Sequence, residues 1–102
     1  MSVDLDIKID EKIKKIIKEP NKYNVIMLND NVTPIEWVID ILKTIFKHSD
    51  ITAENLTLTI HNDGSAVVGT YSYEIAEQKA LETTNVSRNQ GFPLTVRVDE
   101  DK

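Results

Sequence analysis

Asn29, Asp30 and Asn31 stand together between a run of strand formers, Tyr23 to Leu28, and a helix-starting sequence, Thr33-Pro34-Ile35-Glu36. Short Asx side chains bond their own backbone and break strands. At a strand-to-helix corner, three in a row bring several hydrogen-bonding groups within reach of one point. His61 is the second candidate, at the end of a segment that runs into an Asn62-Asp63-Gly64 turn. If its imidazole and the Asx corner face a common pocket, the inventory of donors and acceptors selects the ligand. A neutral imidazole nitrogen and an asparagine carbonyl oxygen accept hydrogen bonds, and Asp30 adds negative charge. A primary ammonium, with three donors and no acceptor, is their complement. Taken singly, the same residues have plainer readings: Asn29 and Asp30 as an Asx turn or helix cap, His61 as a half-exposed surface histidine.

Catalysis is poorly supported. His48, Ser49 and Asp50 are neighbours at a helix end, not a nucleophile, base and orienter converging on one bond. The chain has no phosphate loop and no metal motif, and two isolated histidines make a poor metal site. The expectation is a chain with no catalytic residues, no metal and no cofactor.

The elements that must position the corner are legible in part. Tyr23 to Leu28 reads as a short strand. Thr33 is the expected N-cap of the next helix, with Pro34 in its first turn and Glu36 near its positive end. Ile35, Val38, Ile39, Leu42, Ile45 and Phe46 recur at helical spacing, and Lys47 and His48 suit the end of a helix reaching His48. Trp37 on that helix reads as packing. Ala53 to Asp63 is ambiguous. Leu56-Thr57-Leu58-Thr59-Ile60 alternates like a strand, while Ala53, Leu56 and Ile60 make a helical stripe that Asp50 or Thr52 can cap; propensity leans to strand. Ala66 to Tyr71 is a second strand. Ser72 is placed to cap a third helix with Ile75, Ala76, Ala80, Thr83 and Val86 inward, stopped by Gly91 and Pro93. Leu94, Val96 and Val98 alternate in a last strand.

Within 102 residues this describes one small α+β domain over residues 21–102. Residues 1–20 change period, Val3, Leu5, Ile7 and Ile9 alternating before Ile13, Ile16 and Ile17 recur at helical spacing, and read as a flexible N-terminal extension. The chain lacks cysteine and carries 12 basic against 17 acidic residues, net −5. That balance argues against nucleic-acid or anionic-membrane binding. No apolar run has the length of a membrane span and no secretory signal is expected, so the expected location is cytoplasmic.

The combination Leu28-Asn29-Asp30-Asn31-x-Thr33-Pro34-x-Glu36-x-Val38-Ile39-Asp40-x-Leu42, then Ile60-His61, then Gly69-x-Tyr71-x-x-Glu74-x-Ala76-x-x-Lys79 resembles ClpS, the bacterial adaptor that hands N-degron substrates to a Clp ATPase-protease. The resemblance runs from Tyr23 to Val98. It implies a β-α-α-β-α-β order, a three-stranded sheet packed on three helices, with helix where Ala53 to Asn62 left the matter open. In a helix Thr57, Ile60 and His61 share a face. It implies α-amine binding by Asn29 and His61, with Asp30 and Asn31 helping to hold the start of the substrate backbone. It implies an apolar slot for the first side chain lined by Thr33, Ile35, Val38, Thr57, Ile60 and Leu94; on their own Ile35, Val38, Ile60 and Leu94 read as core. Glu74 and Lys79 match positions that contact the N-terminal domain of a Clp ATPase of the ClpA or ClpC type; on their own they read as a solvated helix face, Lys79 having Glu82 three residues on. The implied substrates begin with Leu, Phe, Tyr or Trp, and the implied state is a monomer.

The sequence departs from the family at Asn31, where members commonly carry a second aspartate, and at Ile35 and Thr57, where methionine is usual. Isoleucine is stiff and threonine short and polar, so the expectation is an altered slot, roomier near Thr57, with preference shifted within the bulky set. The alternatives are a ClpS-like modulator of the Clp ATPase whose pocket is degenerate, and an enzyme or ribosome-associated domain on a similar fold.

Overall fold

The computed structural model describes residues 21–102; the expectation of a flexible extension over 1–20 lies outside the described residues. The order is β1 (Tyr23–Leu28), α1 (Ile35–Thr44), α2 (Asp50–Asp63), β2 (Ser65–Tyr71), α3 (Tyr73–Asn89) and β3 (Thr95–Glu100). This is the expected β-α-α-β-α-β arrangement. The sheet order is β2-β1-β3, all antiparallel. At one end of the sheet Leu28 faces both Ser65 and Thr95, so the end of β1 meets the start of both neighbours. Helix α3 packs across all three strands, while α1 packs on α2 and α2 on β2. Val25 and Met27 of β1, Leu42 of α1 and Ala53 of α2 are fully buried between them.

The segment of mixed periodicity is helix, and its ends explain why. Ser49 is the N-cap and accepts the Thr52 N–H at 3.2 Å. Gly64 ends the helix in the left-handed conformation, φ 92°, and returns its N–H to the Ile60 carbonyl, a geometry that costs glycine little. The threonines that favoured strand are accommodated by turning their hydroxyls back, Thr57 to the Ala53 carbonyl at 2.7 Å and Thr59 to that of Asn55 at 3.0 Å. Two caps and a buried Ala53-Thr57-Ile60 face override a propensity difference of a few tenths of a kcal/mol per residue, roughly.

Helix α1 is shorter than expected. It ends at Thr44 with Ile45 as cap, and Lys47, at φ 61°, has left the helix. His48 instead lies against β2, its Nε2 2.6 Å from the Val68 carbonyl. The register of β1 on β2 shifts between Val25 and Ile26, leaving Val68 as the extra residue of a bulge. The last turn of α1 carries Lys43, paired with Asp50 at 2.7 Å, and a second cation reaches its end from far along the chain: Lys79 of α3 donates to the Ile45 carbonyl at 2.7 Å.

On α3 the buried residues are Ala76, Thr83 and Ser87. Ile75, expected inward, is exposed, because a stripe through 76, 83 and 87 leaves position 75 a hundred degrees round the helix, roughly. Ser87 accepts the Trp37 indole N–H at 2.9 Å, locking α1 to α3, and Phe92 meets the Trp37 ring edge-on at 5.3 Å. Thr83 is 0% exposed, and its hydroxyl has no hydrogen-bond partner among the described residues. Thr83→Val keeps the β-branched shape and removes that desolvated group, so it is expected to stabilise the fold by about 1–2 kcal/mol. A urea midpoint unchanged or lowered would show that the hydroxyl is satisfied.

Candidate functional site

The Asx corner is organised by Asp30. Its Oδ1 accepts the backbone N–H of Val32 at 2.8 Å and of Thr33 at 2.6 Å, and its Oδ2 accepts the Thr33 hydroxyl at 2.8 Å. Thr33 is therefore a donor to the corner and not the N-cap of α1; that position falls to Pro34, whose carbonyl accepts the N–H of Trp37 and Val38. Burial, the largest single influence on the Asp30 carboxyl, pushes its pKa up. The hydrogen bonds from Thr33 and Val32, with the nearby Arg88 charge, outweigh burial and hold the group below the ordinary aspartate range. A depressed folded-state pKa stabilises above the unfolded value, near 4, and the gain is lost as pH falls through the lower folded value. The stability difference between the native chain and Asp30→Asn is thus expected to be full at neutral pH and to shrink below about pH 4, read from urea midpoints against pH.

The opposite wall is set by Gly64. Its carbonyl accepts the Asn29 N–H at 2.9 Å, tying the end of β1 to the end of α2. His61 is three residues before that tie, in the last turn of α2, and so stands across from the corner. Between them lies a cavity of about 230 Å³ lined by Leu28, Asn29, Asp30, Asn31, Thr33, Ile35, Val38, Thr57, Ile60, His61 and Leu94. Every residue that the sequence placed at the amine-binding corner or in the apolar slot lines this one cavity.

Burial divides the lining. Asn29, Asn31, His61 and Ile35 are exposed and form the rim, while Val38, Thr57, Ile60 and Leu94 are buried and form the floor. The Thr57 hydroxyl is spent on its own helix, so it adds no free polar group to the floor. The rim can accept hydrogen bonds and the floor can take apolar surface, a combination suited to one polar end and one greasy side chain. Leu28 is the lining residue that sequence reasoning missed. Strand alternation sets it on the opposite face from Val25 and Met27, which gave no reason to count it as a wall.

Glu74 and Lys79 lie outside this cavity, on α3. Glu74 is exposed in the first turn. The Lys79 ammonium, besides its bond to Ile45, stands 5.3 Å from the Tyr71 ring centroid and 5.9 Å from that of Phe46. Gly69 makes room for this cluster, since a Cβ there would collide with the Tyr71 ring and hydroxyl. Burial pushes the Tyr71 phenol up. Among the described residues no group of three or more His, Asp or Glu is placed to hold a metal ion, and no helix is long and apolar enough to cross a membrane.

Comparison with known proteins agrees with this fold. The profile of the ATP-dependent Clp protease adaptor protein ClpS matches residues 18–97. The ATP-dependent Clp protease adapter protein ClpS 2 of Agrobacterium fabrum is 38% identical over 98 residues, covering 96% of this chain and 95% of the relative. ClpS of Nautilia profundicola is 43% identical over 81 residues, covering 79% and 84%. The structure of Agrobacterium tumefaciens ClpS2 bound to L-phenylalaninamide superposes with a TM-score of 0.78 at 40% identity, covering 80% of this chain and 99% of that one. The family profile spans most of the chain, and relatives of 38–43% identity are matched along most of their own length: this chain belongs to the ClpS family of ATP-dependent Clp protease adaptors.

Proposed function

We propose that the chain captures polypeptides by their free α-amino group and bulky apolar first side chain and delivers them to a Clp AAA+ ATPase of the ClpA or ClpC type. The observation that carries this reading is the placement of Asn29 and His61 on the rim of a cavity whose floor is Val38, Thr57, Ile60 and Leu94. An α-ammonium bonded to the Asn29 carbonyl oxygen and the His61 imidazole sets where the chain begins, and the first side chain enters the floor. Burying a Leu or Phe side chain there contributes about 1.5–3 kcal/mol. An internal residue offers no ammonium and leaves the rim acceptors unpaired, which makes the site a sensor of chain starts. L-Phenylalaninamide, the molecule bound in the Agrobacterium tumefaciens structure, carries these two features, a free α-amine and a benzyl side chain.

Asp30, held by its own turn, supports the corner and lends it negative charge, with Asn31 beside it contributing hydrogen bonding without charge. On the partner side, the exposed Glu74 is available for an ATPase contact. Lys79 acts there mainly by fixing α3 to the end of α1, its charge already committed to Ile45. The chain works as a cytoplasmic monomer without catalytic residues.

The test is binding of peptides beginning with Phe, with and without an Nα-acetyl group, followed by degradation of a Phe-first reporter by a ClpA- or ClpC-type protease. Acetylation is expected to abolish binding, and reporter degradation is expected to need the adaptor. Acetylated peptide that binds as well as free peptide would refute the reading.

A further inference from the structure

A second cavity, about 270 Å³, runs along the crevice between α1 and α2 and is lined by Ile35, Ile39, Glu54, Thr57, Leu58 and His61. It shares Ile35, Thr57 and His61 with the slot, so the two cavities adjoin at those side chains. Ile35 and Leu58 are 55% and 58% exposed. Two large aliphatic side chains lining one open crevice form a contiguous patch rather than the scattered exposure every surface carries.

We infer that this crevice is a subsite for the side chain of the substrate's second residue and that it selects an apolar one. The inference rests on the reading given under Proposed function, because the amine held between Asn29 and His61 is what fixes residue one. From there the next Cα is about 3.8 Å further on. His61 lines both cavities, so a side chain on that second Cα starts within reach of the crevice. The volume takes one side chain, not a partner's helix. Its chemistry is aliphatic: Ile35, Ile39 and Leu58 offer only carbon, and the Thr57 hydroxyl is bonded to Ala53. A serine or glycine in second place gains nothing there, and an aspartate faces Glu54. The short Thr57 side chain lines both cavities.

Fluorescence anisotropy on the full chain tests this with peptides beginning Phe-Leu and Phe-Ser, each free and Nα-acetylated. Free Phe-Leu is expected to bind about five- to tenfold tighter than free Phe-Ser, the return on partly burying one leucine. Leu58→Ser, at an exposed position outside the slot, is expected to erase that advantage while leaving the Phe-Ser affinity unchanged. Equal binding of the two free peptides overturns the subsite, as does an advantage that survives Leu58→Ser. If free Phe-Ser binds and its acetylated form does not, amine capture stands whatever the second residue does. If acetylation makes no difference, or neither free peptide binds, both the capture reading and the subsite fall.

Discussion

Asn29→Ala and His61→Ala are each expected to weaken binding of a Phe-first peptide by about 10- to 150-fold, the worth of one hydrogen bond to a charged group. Neither change should unsettle the fold. The tie between β1 and α2 runs through the Asn29 backbone N–H to Gly64, which alanine retains, and both side chains are exposed. The two losses should not add. Both acceptors serve one ammonium, so once the first is gone the ion is less firmly placed for the second, and the double variant is expected to fall short of the product of the single effects. Peptide anisotropy with urea denaturation alongside separates lost binding from lost fold. An alanine variant at either position that binds within about twofold of the native chain would remove that residue from the amine site.

What the sequence made legible here was local. Tyr23 to Leu28 is a strand because it is a run of strand formers that three Asx residues interrupt, and Gly91, at positive φ, stands just past the end of α3 where a stop was expected. Local signals failed where a distant group decided the outcome. The periodicity of Leu56 to Ile60 fits strand as well as helix; the choice was made by Ser49 and Gly64 at the two ends, and only the family resemblance carried that information in advance. Lys47 and His48 were expected to close α1, yet the helix stops before them, and the cation that bonds the Ile45 carbonyl is Lys79, brought across 34 positions by the packing of α3. Glu82, the acid that spacing offered Lys79, is not its partner in the structure. The corner shows the same limit at short range: composition marks Asp30 as a turn residue, but only geometry shows it holding two backbone N–H groups and a hydroxyl at once. For the slot, residue types gave a core reading of Ile35, Val38, Ile60 and Leu94 and the resemblance gave a site reading; Ile35, 55% exposed, is not core. Val38, Ile60 and Leu94 are core, and the same buried side chains form the floor of the cavity.

That double duty predicts opposite outcomes for two substitutions in one slot. Leu94 is 1% exposed, its carbonyl is held by Arg88 at 2.7 Å, and it immediately precedes β3. Leu94→Ala removes core volume as well as slot wall, and is expected to cost about 2–5 kcal/mol of stability, the range for deleting a buried leucine. Ile35, more than half exposed at the rim, supports little of the fold. Ile35→Ala is expected to shift stability by less than about 1 kcal/mol yet to weaken binding of a Phe-first peptide by about three- to tenfold through lost apolar contact. Urea titration of both variants, with peptide binding measured where each is folded, checks the pair. A Leu94→Ala protein within about 1 kcal/mol of the native chain would mean that the floor is a separate lining and not the core itself. If the floor is core, its shape cannot be changed without spending stability, whereas the rim can change freely. Ile35, exposed at the rim, is then where a change in substrate preference is tolerated at least cost, while Thr57, small but buried, can gain volume only by displacing the packing of α1 on α2.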